Sequence, residues 1–383
     1  MPQRLFRDGL ASISRRRMLA GAAALPALAL LRGTVRAAEV PPRTRFGVNF
    51  YSLFLRGLKP GQSPATDGLA DLAHAGIPFV RFPASGQNAG NWSLLDTDPG
   101  RYWGNFDAIF ATAEQTGIKL VPSLFWNPPT LPFHLGETMQ SWLNPDSSTA
   151  RHAQAYVETF RKRYDKSPAL LMYEFGNELN SWLDLPNVTR FWPKPDPTMP
   201  ERKPLPADAL SSSQFSEILD NFVTTLRKSS TRSIGSGNNI PRENAWHLAH
   251  RTWDIDTRDQ YIETLRSLCP RDMDVLSIHL YPTQFGGAKA VFQTPGDVLA
   301  AMVEAARLDN RTAFVGEFGI ARMADNKEER RQFAAMVDAI IMNGVDYAAI
   351  WNYAPFAMQP DYDVTFTNDR AYQLQAILAA NKG

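Results

Sequence analysis

The chain has 383 residues, 44% of them hydrophobic and 21% charged, with 40 Lys and Arg against 39 Asp and Glu and a formal charge of +1. These proportions describe a globular protein with enough apolar material for one large domain or two ordinary ones, and they exclude a disordered or collagen-like chain. The near-neutral charge gives no electrostatic footprint for nucleic acid or an anionic membrane. The lone cysteine, Cys269, can form neither an intramolecular disulfide nor a thiolate zinc site.

Residues 1–37 read as a leader rather than as part of the fold. The basic stretch Ser14-Arg15-Arg16-Arg17-Met18-Leu19 runs into an Ala, Leu and Gly segment over 18–31, broken by Pro26, and then into Val35-Arg36-Ala37-Ala38. This pattern resembles a twin-arginine export signal, with cleavage after Ala37 or Ala38. The apolar run falls short of the roughly 20 residues that span a bilayer, so no stable membrane anchor is expected. The leader holds seven basic residues and one acidic residue, which leaves the mature chain with 33 basic against 38 acidic groups and a formal charge of −5. Twin-arginine machinery moves folded chains, which need no oxidative stapling, so one cysteine fits a protein bound for the periplasm or beyond.

From residue 38 onward, short apolar runs alternate with stretches of helical period. The strand candidates cover 46–51, 79–84, 119–125, 170–176, 232–237, 275–281, 313–318 and 347–353. Most are predominantly apolar, as strands covered on both faces should be. Between them, Thr294-Pro295-Gly296-Asp297 supplies an N-cap, a proline at the first helical position and an acid in the first turn, while Gly117 and Gly344 mark helix ends. Phe333, Met336, Val337, Ile340 and Ile341 form an apolar stripe that predicts a helix packed on a sheet. Eight βα units without a linker predict a single α/β domain over 38–383, a (β/α)8 TIM barrel. A doubly wound open sheet fits less well, because Phe50-Tyr51-Ser52-Leu53-Phe54 stands where a Gly-rich turn would follow the first strand.

In such a barrel, the C-terminal strand ends and the loops after them converge on one face. All nine tryptophans are expected there: Trp92 and Trp103 after the second strand, Trp126 and Trp142 after the third, Trp182 and Trp192 after the fourth, Trp246 and Trp253 after the fifth, and Trp351 at the eighth. Flat apolar rings that also donate a hydrogen bond suit the faces of sugars, although any single one can serve only packing. The proline-rich segment 181–210, with Phe191 and Trp192, predicts a stiff extended wall beside a cleft.

Glu174-Phe175-Gly176-Asn177-Glu178 closes the fourth strand and Val315-Gly316-Glu317-Phe318-Gly319 the seventh, so Glu178 and Glu317 are expected on the same rim. Paired carboxylates are what glycoside hydrolysis requires, one protonating the leaving oxygen while the other attacks or stabilises the anomeric carbon. The sequence holds no HExxH, P-loop or GxSxG pattern to support metal-assisted hydrolysis, phosphoryl transfer or serine hydrolysis.

Asn-Glu at the end of strand four and a glutamate at the end of strand seven resemble the clan A retaining glycoside hydrolases, and most closely family 5, the cellulase and mannanase family. The resemblance covers essentially the whole chain after the leader. It implies that Glu178 is the acid/base, Glu317 the nucleophile and Asn177 the residue that holds the substrate 2-hydroxyl. It further implies that Arg81, in Phe79-Val80-Arg81-Phe82-Pro83, keeps Glu317 ionised, that His279 and Tyr281 line the site, and that Trp351 forms a platform for the sugar. One departure concerns strand three, where the family generally carries a histidine. Here Leu124-Phe125-Trp126-Asn127 occupies that place, and Trp126 or Asn127 is the expected replacement, with His134 deeper in the loop.

The reading is therefore an exported retaining hydrolase of β-linked glucan or mannan chains, with an oligo- or polysaccharide substrate and no cofactor. A transglycosylase using the same site and a carbohydrate-binding barrel without turnover remain as alternatives. Replacing Arg15, Arg16 and Arg17 by lysine is expected to leave the precursor in the cytoplasm, folded and active. Cell fractionation, together with N-terminal sequencing of the exported protein, checks this.

Overall fold

The computed structural model describes residues 43–186, 205–282 and 291–382. The leader, Trp192 and the middle of the proline-rich segment lie outside the described residues. Eight parallel strands close into a barrel in sequence order: β1 (Arg45–Asn49), β2 (Phe79–Pro83), β3 (Lys119–Phe125), β4 (Met172–Gly176), β5 (Ser233–Gly235), β6 (Val275–Leu280), β7 (Thr312–Phe318) and β8 (Tyr347–Ile350). One outer helix follows each strand: α1 (Thr66–Ala75), α2 (Pro99–Thr116), α3 (Ser148–Tyr164), α4 (Ser212–Arg227), α5 (Arg258–Ser267), α6 (Pro295–Leu308), α7 (Asn326–Met342) and α8 (Ala371–Ala380). The predicted TIM barrel is thus observed.

Local signals account for the helix ends. Thr294 caps α6 in a reciprocal box with Asp297, satisfying amide donors that the first turn leaves without partners. Gly117 ends α2 at φ 79°, in the left-handed region where a side chain is strained. Along α7, Phe333, Met336, Val337 and Ile340 are buried, but Ile341 is 42% exposed. The apolar stripe is therefore one residue narrower than its spacing suggests, because Ile341 lies at the edge of the face that meets the barrel.

The barrel interior changes character along its axis. Phe79, Val121, Met172, Val275, Phe314 and Ala349 form an apolar layer of their own. With the strand period of two, the next inward positions up are Arg81, Ser123, Glu174 and Ser277, all buried. The parity breaks at one place. The register between β6 and β7 passes from Ile278↔Val315 to His279↔Glu317, a bulge at Gly316 that turns Glu317 toward the interior. A Cβ at Gly316 would lie 3.0 Å from His279 Nε2, so glycine also makes room for the imidazole.

A second glycine sets the height of the loop after β4. Gly237 sits at φ 73°, and its carbonyl accepts the Glu178 amide at 2.9 Å. A Cβ there would lie 1.9 Å from the Gly176 carbonyl oxygen and 2.8 Å from the Glu174 carboxyl carbon. Gly237→Ala is expected to cost about 2 kcal/mol or more, from left-handed strain and the clash together, and to lower activity by displacing Glu178. Thermal unfolding and turnover of the variant measure both effects.

Candidate active site

The inward layer places a guanidinium among acceptors from several strands. Arg81 Nε donates to Glu174 Oε1 at 2.7 Å, Nη1 to Glu317 Oε1 at 2.8 Å and to Asn49 Oδ1 at 2.9 Å, and Nη2 to Asn177 Oδ1 at 2.8 Å. Asn49 is itself fixed by donating to the Gly316 carbonyl at 2.9 Å. On the remaining side, the Trp126 ring centre lies 4.6 Å from the guanidinium carbon, a cation–π contact.

Above this layer stand Glu178 and Glu317. One oxygen of each, together with a ring nitrogen of His279, lies within 4.8 Å of the others. Tyr281 donates its hydroxyl to Glu317 Oε2 at 2.7 Å, and His279 Nδ1 lies 2.8 Å from Glu178 Oε1 and 3.6 Å from Glu317 Oε2. The two carboxyl groups differ in access, the side chain of Glu178 being 32% exposed and that of Glu317 only 5%. Glu178 also adopts a left-handed backbone, φ 55°, which is uncommon for a side-chain-bearing residue and is held by the hydrogen bond its N–H donates to the Gly237 carbonyl.

Burial pushes the pKa of both Glu178 and Glu317 above the usual carboxylate range. For Glu178 the opposing influence is the charge of Arg81, whereas Glu317 is pulled back by the charge of Arg81 and by the Tyr281 hydroxyl. The pull of Arg81, expected to keep Glu317 ionised, is opposed by complete burial, which leaves the Glu317 carboxyl raised. Glu317 nevertheless has the richer set of donors to its charge. His279, also fully buried, has its pKa lowered to about 3, so its ring is neutral. Its Nε2 has no partner among the described residues, which favours the tautomer with the proton on Nδ1, facing the carboxylates.

Arg81, Asn177, His279 and Tyr281 thus converge on the two glutamates. Trp351 lies nearby, only 8% exposed, with its indole N–H donated to Gln359 Oε1 at 2.8 Å. Trp126 runs nearly parallel to it, with centroids 6.1 Å apart and planes at 17°, and Tyr51 meets both rings edge-on. Of the two candidates to replace the strand-three histidine, Trp126 covers Arg81. Asn127 instead donates to the Gln87 carbonyl at 3.1 Å and tethers two loops. His134 pairs with Asp96 at 2.7 Å.

The expectation that every tryptophan lines the open face is corrected. Trp103 lies within α2 and stacks on Tyr156, while Trp92 and Trp142 pack on Phe125, all of them buried. Large rings fill the wide gap between helices and strands, and position in the chain does not separate that task from substrate contact. Conversely, Asn49, Tyr51 and Glu174 were missed. An acid inside the apolar run Met172-Tyr173-Glu174-Phe175 was the available signal for Glu174, and a polar residue ending β1 that for Asn49.

Glu178, His279 and Glu317 are also the one group among the described residues with metal-ligand spacing. The hydrogen bond between the first two and the fixed cation beside the third oppose a metal ion at this place.

A closed barrel with two carboxylates at the ends of β4 and β7, over a buried arginine, defines a glycoside hydrolase. The family model described as cellulase, glycosyl hydrolase family 5, matches residues 45–356, and the chain belongs to that family. The fold is similar to the endo-β-1,4-mannanase of Thermotoga petrophila, with 15% identity over 89% of this chain and 77% of that one and a TM-score of 0.61. It is also similar to the endo-1,4-β-mannanase of Rhizomucor miehei, with 14% identity, 89% and 96% coverage and a TM-score of 0.61. A further similar structure is the cellulose synthase subunit Z of Clostridioides difficile, with 16% identity, 89% and 100% coverage and a TM-score of 0.50. No curated protein gives a significant sequence match.

The His279 ring is neutral in the folded protein down to about pH 3, while in the unfolded chain it takes up a proton below about 6.5. Its contribution to stability is therefore complete above about pH 6.5 and is lost as the pH falls from there toward 3. NMR of the imidazole should show the neutral form at about pH 5; a transition near the unperturbed value of about 6.5 would contradict the assignment.

Proposed function

We propose that the protein is an exported retaining β-glycosidase that hydrolyses β-linked glucan or mannan chains by double displacement. Glu178 is the acid/base and Glu317 the nucleophile. The observation that carries this reading is the approach of their carboxylate oxygens to within 4.8 Å. Retaining enzymes hold their carboxyl groups about 5–5.5 Å apart, whereas inverting ones need roughly 6.5–9.5 Å to admit a water.

The roles follow from the surroundings. Glu317 accepts from Arg81 and Tyr281, so an anion there is supported as it attacks the anomeric carbon and again when it leaves. Glu178 is more exposed and is raised by burial, which keeps a proton available for the departing oxygen. Once the leaving group is gone, the same carboxylate takes a proton from the attacking water. Neutral His279 donates to it without competing as an acid. Asn177 accepts from Arg81 through Oδ1, which leaves its amide protons directed to a sugar hydroxyl. Tyr51, Trp126 and Trp351 make an aromatic wall beside the pair, suited to a pyranose face. Export rests on the arginines and the short apolar run of the leader, by the twin-arginine route to the periplasm or beyond. Among the described residues no helix is long and apolar enough to cross a membrane.

Incubation of the mature protein with β-glucans, β-mannans and xylans, with product lengths resolved, identifies the substrate and separates hydrolysis from transfer and from binding. Glu317→Ala is expected to abolish turnover. Glu178→Ala should retain the first step on substrates with good leaving groups, and added azide should then speed turnover and yield a β-glycosyl azide. An α-azide would contradict retention.

A further inference from the structure

Glu174 is a second carboxylate on Arg81, and the double displacement gives it no task. It lies on β4 four residues before Glu178, is 1% exposed and sits in the layer below the reacting pair. Its Oε1 accepts from Arg81 Nε at 2.7 Å and stands at the same distance from Nη2. With Glu317 and Asn49 on Nη1 and Asn177 on Nη2, the five N–H groups of the guanidinium are all directed at acceptors. Glu174 occupies the edge opposite Glu317, so it fixes the in-plane orientation that aims Nη1 at Glu317 and Nη2 at Asn177. Its own place is built, since left-handed Gly237 leaves just enough space for the carboxyl group.

We infer that Glu174 is a positioning residue that divides the charge of Arg81 with Glu317, holding the nucleophile in line while keeping it more basic than an undivided arginine would. This rests on the reading of Glu317 as nucleophile. An exclusive bidentate pair with a buried guanidinium lowers a carboxylate's proton affinity, and with it the nucleophilicity. Glu174, whose carboxyl pKa is raised by burial but which the two donors of Arg81 hold as an anion, is a second negative charge on the same cation and restores both. The groups that face Glu174 and Glu317 are Arg81 from β2, Ser123 from β3, Glu178 after β4, the Gly237 backbone after β5, neutral His279 from β6 and Tyr281 beyond it. Arg81 is the one fixed cation among them, which makes its division consequential.

Glu174→Gln preserves the shape and an acceptor for Arg81 but removes the charge. On an aryl β-glycoside with a good leaving group, the acidic limb of the kcat/KM profile should move to lower pH by about half a unit or more, as Glu317 becomes easier to ionise. Turnover at the optimum should fall by about tenfold or more, with KM little changed. Glu174→Asp draws the anion back from Arg81 and should move the limb in the same direction by less. It carries the test if the Gln variant does not accumulate as folded protein. An acidic limb that coincides with the wild type's in the folded variants overturns the inference, whatever the loss of activity, since a purely structural role would not move that limb. Trapping the glycosyl-enzyme with a 2-deoxy-2-fluoro glycoside and mapping the label tests the underlying assignment separately. A label on Glu317 with an unmoved limb defeats only the inference about Glu174, and a label elsewhere defeats the nucleophile assignment itself.

Discussion

Removing a guanidinium from water costs several kcal/mol unless its charge and all its donors are matched, and Arg81 is fully buried inside the barrel. Everything around it can be understood as that matching. β1 sends Asn49, β4 sends Glu174, the turn after β4 sends Asn177 and β7 sends Glu317, while Trp126 lies against its face. Strands far apart in sequence are thereby tied at one level of the barrel, directly above an apolar layer that excludes water from below. Removing any single acceptor would leave a buried charge short of a partner, so the cluster is rigid where the proposed chemistry needs fixed dipoles.

The same cluster makes the two glutamates unequal. Both are raised by burial, yet Glu317 sits deep among donors from Arg81 and Tyr281, whereas Glu178 stands at the mouth with His279 as its hydrogen-bond partner. A buried imidazole that stays uncharged can hold a carboxyl group in place without adding a cation that would favour its ionisation. In the proposed mechanism the proton-holding and the anion-holding carboxyl groups therefore stand within one small space, separated by depth and by donor count rather than by residue type.

Aromatic residues serve two ends in this chain. Tyr51, Trp126 and Trp351 stand together next to Arg81, and in the proposed function they form the wall that meets a sugar. Trp92, Trp103 and Trp142 fill the space between strands and outer helices. Trp126 joins both groups of problems, since it occupies the strand-three position where a histidine was expected and covers the guanidinium beneath it. An aromatic face can shield Arg81 from water, which a histidine's smaller ring does less completely.

Much of this was legible in the sequence. Predominantly apolar short runs such as 119–125 and 275–280 fit strands covered on both faces, and eight of them alternating with helical stretches point to a closed barrel. Position at strand ends brought Glu178, Glu317, Arg81, Asn177, His279 and Tyr281 to one rim, because the barrel converts order along the chain into nearness. What remained hidden depends on distances of a few ångströms between strands. A period of two gives Glu317 the wrong face, and only the bulge at Gly316 turns it inward. Nothing local tells that Glu174, four residues before the expected acid, shares the arginine of β2, that Asn49 completes its donors, or that Trp103 belongs to the packing of a helix. Pattern along a chain encodes which face is apolar, whereas the partner of a buried charge is chosen by whichever acceptors the closed barrel brings within hydrogen-bonding reach.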